Sequence, residues 1–221
     1  MEFDKTSKNT VKRGAKKATY NKEEIYAILD SSEICSIAFI INGLAYSQPI
    51  NFGRKEDKLY IHGSLQNRMT AALIEQEEVS LSVFYLDSMK LSKSAFHHSV
   101  NYRSVVVIGK VRELTSEKDK LEGLKTIINH FVPNRWEHCR KPNTKELQAT
   151  RVLEITIKSA SAKIANAGVT DNKEDEQLDF WAGEIPIKTI CDYPVGKNET
   201  EQAKEIPKHI LDFYNRNKNG F

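Results

Sequence analysis

The stretch PINFGRKEDKLYIHGSLQNR, from Pro49 to Arg68, predicts a strand, a tight turn, a second strand and the first turns of a helix. Leading into it, Leu44, Tyr46, Gln48, Ile50 and Phe52 occupy one face of a period-two pattern, and Ala45, Ser47, Pro49 and Asn51 the other. The second face carries only short side chains, so a flat ligand can approach the backbone. Gly53 breaks the run, and the charged residues Arg54 to Lys58 carry the turn. Leu59, Tyr60 and Ile61 resume as a strand that ends at His62-Gly63-Ser64.

That ending carries chemistry. Gly63 permits a turn that a Cβ would hinder. Ser64 suits the N-cap of a helix whose apolar positions are Leu65, Met69, Ala72 and Leu73. A glycine-to-helix junction aims unpaired N–H groups and a positive dipole end at one spot, which suits a phosphate. Arg68, four residues beyond Ser64, shares its helical face and can add a charge-assisted bond. The bland alternative is an ordinary capped helix with a solvated arginine.

With 221 residues, 39% hydrophobic and 29% charged, the chain has the make-up of a soluble globular protein with material for one substantial core. No apolar run reaches the length of a membrane span, and the lysine-rich N-terminus lacks the apolar stretch of a secretory signal. Cys35, Cys139 and Cys191 show no paired spacing, which argues against a disulfide framework or a zinc site and for a reducing cytoplasm. A net charge of +3 is too small to imply nucleic acid.

In chain order, residues 1–12 read as a flexible basic arm, 13–190 as one domain and 191–221 as a helical extension. Asn21 and Glu24 open a helix with the stripe Ile25, Ile28, Leu29. Ile34 to Ile41 is a buried strand that turns at Asn42-Gly43 into the Leu44–Phe52 strand. Val79, Leu81, Val83 and Tyr85 alternate as a further strand. Residues 87–99 read as a loop holding His97-His98, neighbours that rarely face one ligand in an extended chain. Asn101 to Leu114 is a long strand with Gly109 as a bulge. Ser116 and Asp119 cap a helix that ends at Pro133, Asn143 and Glu146 open a shorter one, and Leu153, Ile155 and Ile157 mark a last strand. The acidic residues 168–179 read as a solvated linker, and a tail helix starts near Pro207. Six strands without βαβ order and without a G-x-G-x-x-G fingerprint predict a mainly β (α+β) fold, a closed or split six-stranded antiparallel barrel with flanking helices.

The order of these signals resembles the FMN-binding split barrels of the pyridoxamine 5′-phosphate oxidase-like superfamily, and within it the nitroimidazole-resistance branch. The resemblance spans roughly residues 12–190. It rests on Arg13 with Tyr20, Pro49-Ile50-Asn51-Phe52, Leu59-Tyr60-Ile61-His62-Gly63-Ser64, Asn101-Tyr102-Arg103-Ser104-Val105, and Trp181-Ala182-Gly183-Glu184-Ile185-Pro186. It implies a homodimer with FMN at the subunit interface. The flavin ring would lie along Pro49, Ile50, Asn51 and Phe52, with the phosphate at His62, Gly63, Ser64 and Arg68. Tyr102 and Ser104 would reach the cofactor from a later strand, and Trp181 would border the site. The chain departs from the oxidases in having a single Arg68 after Asn67 where they carry a basic pair, and in lacking their C-terminal arginine motif. Pyridoxamine phosphate is therefore not the expected substrate.

The resemblance implies an FMN-dependent oxidoreductase, taking electrons from a small-molecule donor and passing them to a small electron-poor acceptor such as a nitroimidazole or quinone. Tyr102 and His62 are the candidates to donate a proton or hydrogen bond as charge develops on the acceptor. Two other readings stand beside it: a non-catalytic FMN store or sensor, and a haem-binding or haem-degrading relative using His62, His97 or His98.

Overall fold

The computed structural model describes residues 1–220. After a 3-10 turn at Ala15–Lys17 come β1 (Ala18–Thr19), α1 (Lys22–Asp30), β2 (Ile34–Ile41), β3 (Leu44–Asn51), β4 (Gly53–Lys55), β5 (Lys58–Ser64), α2 (Arg68–Glu75) and β6 (Val79–Leu91). Then follow β7 (Ser99–Leu114), α3 (Glu117–Phe131), α4 (Thr144–Ala149), β8 (Thr150–Ala165), β9 (Gly183–Pro186), α5 (Glu199–Gln202) and α6 (Lys208–Asn217). The strands form one antiparallel sheet in the order β3-β2-β6-β7-β8-β5-β4, with β1 beside β8 and β9 beside β6. The end strands β3 and β4 are consecutive in sequence but do not pair, so the sheet curls into a barrel that stays open.

Alternation decides what faces inward. Cys35, Ile37 and Phe39 of β2 meet Leu59 and Ile61 of β5, Leu81 and Val83 of β6, Val105 and Val107 of β7, and Leu153 and Ile155 of β8 in one core. Ile25 and Leu29 of α1 and Met69 and Leu73 of α2 belong to the same core. On the other side of β5 and β8, Ile127 of α3 packs with Tyr60, Leu114 and Val152. Gly53 makes that approach possible: a Cβ there would stand 2.7 Å from the Ile127 Cα. The β2–β3 turn has Asn42 at φ 52° and Gly43 at φ 78°, the left-handed pair that an Asn-Gly hairpin supplies.

The six expected strands correspond to the six long ones, β2, β3, β5, β6, β7 and β8. The other three have two, three and four residues, too few for a periodic pattern to show. β6 runs on to Leu91 because Ser88–Leu91 pair with β9, so the expected loop over 87–99 shrinks to 92–98. Gly109 sits at a register shift between β7 and β8, as expected of a bulge. The basic arm is laid on the sheet where a flexible segment was expected. Phe3 is buried and its N–H bonds the Tyr20 carbonyl, while Asn9 reaches the Ala160 carbonyl at 3.1 Å. One buried aromatic and one buried amide suffice to hold a segment whose composition is otherwise polar.

Candidate functional site

The register of β3, β2, β6 and β7 builds one outward face. Pro49 lies opposite Ser36, which lies opposite Ser82, which lies opposite Val106; one step along, Ser47, Ala38, Ser80 and Ile108 form the next row. Phe84 and Ser104 pair on the same face, and Tyr102 follows opposite Leu86 with its ring 6.0 Å from that of Phe84. The centre of this face is therefore serine, alanine and proline. Its borders are apolar and open to solvent: Ile34 is 53% exposed, Ile40 55%, Phe84 61% and Val106 45%. Of the expected flavin-strand residues, Pro49 and Asn51 are on this face. Ile50 and Phe52 turn inward, Ile50 opposite buried Cys35 and Phe52 fully buried against the His130 ring at 4.8 Å. Phe52 offers a ligand only its backbone, and Ile50 its backbone and a part-buried side chain.

The β5–α2 junction departs from expectation in its cap. Ser64 stays in the ladder opposite Thr150, and α2 begins four residues later with Asn67 as N-cap, its side chain accepting the Met69 and Thr70 N–H groups. Asn and Ser cap equally well, and the buried stripe of α2 (Met69, Thr70, Leu73) starts just after Asn67. Other backbone donors of the turn are also taken: Leu65 N–H by the Ala149 carbonyl, Gln66 N–H by Ser64 Oγ, Asn67 N–H by the Ser64 carbonyl. The junction is thus no open nest of N–H groups: an anion there would be held mainly by side chains, with the Arg68 N–H at the helix start the one backbone donor of residues 65–68 that is not engaged among the described residues. Ser64 Oγ, already accepting, keeps its own proton to donate. Arg68 is exposed at the first helical position with its guanidinium 5.6 Å from the Tyr46 ring centroid, and it forms no ion pair among the described residues. Arg151, which the sequence did not single out, pins the turn by donating to the Leu65 carbonyl and to Thr70 Oγ1.

His62 shares the outer face of β5 with Ser64 and Tyr60, while Gly63 faces α2, where a Cβ would lie 3.1 Å from the Thr70 methyl. His62 is half-buried, its Nδ1 is sealed from solvent without a hydrogen-bond partner, and burial pushes its pKa down, so it is neutral at pH 7. Trp181 is 68% exposed at the edge strand β9, its indole over Gly183, at the opposite end of β6 from Ser80 and Ser82. The structure therefore brings together Pro49, Asn51, Tyr102 and Ser104 on one face. It sets His62, Ser64 and Arg68 around the β5–α2 turn and Trp181 at the β6–β9 edge. Beyond these, Glu154 is a buried carboxylate bonded by Arg112 at 2.8 Å, Lys58 at 3.0 Å and Tyr60 Oη at 3.2 Å. Its partners come from β5 and β7 while Glu154 itself stands on β8, so its role is to join strands. No sequence spacing announces such a cluster.

A family model described as pyridoxamine 5′-phosphate oxidase matches residues 21–164. Among solved structures, the flavocytochrome Anf3 from Azotobacter vinelandii superposes with a TM-score of 0.86 at 31% identity, over 94% of this chain and 96% of that one. The FAD and heme binding protein from Mycobacterium smegmatis gives 0.83 at 28% identity, over 89% of this chain and 96% of that one. A protein described as a 5-nitroimidazole antibiotic resistance protein, from Bacteroides thetaiotaomicron, gives 0.57 at 20% identity over 66% of this chain and 86% of that one, a likeness of fold. No curated protein matches the chain. The matched segment holds the six long strands and the β5–α2 junction, and the chain belongs to the pyridoxamine 5′-phosphate oxidase family.

Proposed function

We propose that this chain is a flavin-binding redox protein, its flavin lying on the short-residue face of β2, β3, β6 and β7 and reaching the start of α2. The observation that carries the reading is that face, a flat open floor of Ser36, Ala38, Ser47, Pro49, Ser80 and Ser82. The chain's residues fit the group: Ser64 O–H and the unpaired Arg68 guanidinium suit a phosphate, and the orphaned Nδ1 of neutral His62 can meet a hydrogen-bonding ligand only if the ring turns. A bound flavin supplies the electron transfer. Tyr102, beside Ser104, is the hydroxyl on this face able to give a proton to an acceptor. The apolar border of Ile34, Ile40, Phe84 and Val106 suits a second copy of the chain, giving a homodimer with the flavin between subunits.

The single phosphate-type turn favours FMN. The relative from Mycobacterium smegmatis is named for FAD, which places an AMP extension on the same phosphate as the rival form. The acceptor reading is a small, planar, electron-poor molecule such as a nitroimidazole or quinone, for which the short-residue floor leaves room. A second reading is supported by two relatives, a flavocytochrome and a protein named for heme as well as FAD: the electrons pass to a haem in the same protein.

Chromatography of the cofactor released from purified protein separates FMN from FAD. Anaerobic mixing of chemically reduced protein with metronidazole or menadione then tests turnover. Reoxidation no faster than that of free reduced flavin would remove the reductase reading and leave a flavin store or sensor.

A further inference from the structure

Little holds the C-terminal extension to the rest of the fold. Among the described residues, no hydrogen bond or ion pair joins residues 188–220 to residues 1–187. The bonds of the extension close on itself, as from the Cys191 N–H to the Asn217 carbonyl and from Lys208 to Asp212. Its longest helix, α6, has ten residues and no side-chain bond at its N-cap, Pro207, so it needs tertiary contacts to persist. From residue 188 on, one described residue is buried, and it is His209.

The His209 ring lies flat on that of His138, the centroids 4.1 Å apart and the planes 12° from parallel. His138 ends a 3-10 turn, Arg135–His138, that is fixed to the body: Trp136 is buried and its N–H donates to Asn129 Oδ1 of α3 at 2.9 Å. Both ring nitrogens of His209 are sealed from solvent without a hydrogen-bond partner. The neutral ring thereby forgoes its bonds to water, whereas an imidazolium would leave two donors and a full charge unmet. The charged groups around the ring offer no rescue. The turn presents Arg135, and its carboxylate, Glu137, is engaged by Lys125 and Lys141. The segment before α6 places Lys204 and Glu205 along the cleft beside Arg135. On α6 itself stand Arg216 and Asp212, and Lys208 already holds Asp212 at 2.6 Å. Burial, then His138 and Arg135, push the pKa of His209 down, with Asp212 opposing them. Water is nevertheless close, because clefts open on either side of the contact, one at Ile206, Pro207 and Ile210, the other at Pro133 and Asn134.

We propose that residues 188–220 form an acid-released flap latched by His209: on taking a proton from solvent, the ring leaves its stack on His138 and frees α6 from the fold. The direction follows from the preference of the docked ring for its neutral form. Docking has its full strength above the free imidazole's pKa of ~6.5 and is lost as pH falls through the lower value of the docked ring. An apolar side chain in the same place would hold the flap at every pH.

The test is hydrogen exchange of the full chain at about pH 7.5 and about pH 5, with rates corrected for the intrinsic effect of pH on amides. The amides of α6 are expected to lose about tenfold or more in protection at the lower pH, while those of β6 and β7 keep theirs. His209→Phe keeps an aromatic ring for the stack and cannot take a proton, so its α6 should stay protected at both. In wild type the midpoint of release should coincide with the titration of the His209 ring followed by NMR, which decides the matter even where phenylalanine fails to fit the stack. Unchanged α6 protection at the lower pH, loss of it in a docked His209→Phe as well, or a midpoint that follows another group overturns the latch.

Discussion

At Arg68 the sequence and the structure agree on the residue and differ on its setting. An arginine four places after Ser64 suggested a phosphate partner, a role that belongs to the proposal. That Asn67 and not Ser64 caps α2 was not legible, since both residue types cap well and a two-residue turn separates them. With the Leu65, Gln66 and Asn67 N–H groups occupied, more of the anion's binding falls on the side chain. Arg68→Ala should weaken flavin binding by about 1.5–3 kcal/mol, read by titrating the cofactor-free protein. Equal affinities would make Arg68 a solvated cation resting on Tyr46. Glu154 was illegible, because its partners converge on it from two other strands. Burial pushes its pKa up, but the bonds from Arg112 and Lys58 outweigh this and hold the carboxyl below the usual range. A depressed carboxyl stabilises the fold above its unfolded pKa of ~4.3, and that contribution is lost as pH falls through the folded value. Glu154→Gln should therefore cost about 1–3 kcal/mol at neutral pH, with the gap to wild type closing on acidification. Urea midpoints on both sides of the carboxylate range measure it, and a gap independent of pH would mean that packing and not charge is responsible.

Among the elements, the long strands were legible because apolar alternation over seven to sixteen residues survives a polar background. The short strands β1, β4 and β9 exist only through their partners, and nothing local announces them. β9 matters most, since it extends β6 and moves Trp181 to an edge. The helix α3 was legible from its stripe, whereas its dependence on Gly53 needs the third dimension. Gly53→Ala would drive a Cβ into the backbone of Thr126 and Ile127, which a side-chain shift cannot relieve. It should cost about 1–3 kcal/mol or more in a urea melt. Asn67→Ala should cost about 1 kcal/mol by uncapping α2, and should also lower flavin affinity by loosening the turn that carries Arg68. Loss of stability without loss of affinity would separate the cap from the site.

For the whole molecule, the open outer face is the feature on which function and assembly converge. The alternation that sends Ile37, Leu81 and Val107 inward leaves Ser36, Ser82 and Val106 outward, so a floor of short side chains was legible in β3 alone and extends over β2, β3 and β6 in the fold, bordered by Val106 of β7. Its apolar border predicts a homodimer. Light scattering should give twice the 25.2 kDa of one chain, and Phe84→Glu should shift it towards monomer and release flavin in parallel. A monomer that retains its flavin would detach the cofactor from the interface. Flavin binding is the claim on which the other predictions depend. The absorption spectrum of freshly purified protein tests it most directly: flavin bands near saturation, with flavin released on denaturation, are the predicted result. A colourless protein that neither contains flavin nor takes up added FMN or FAD would contradict it.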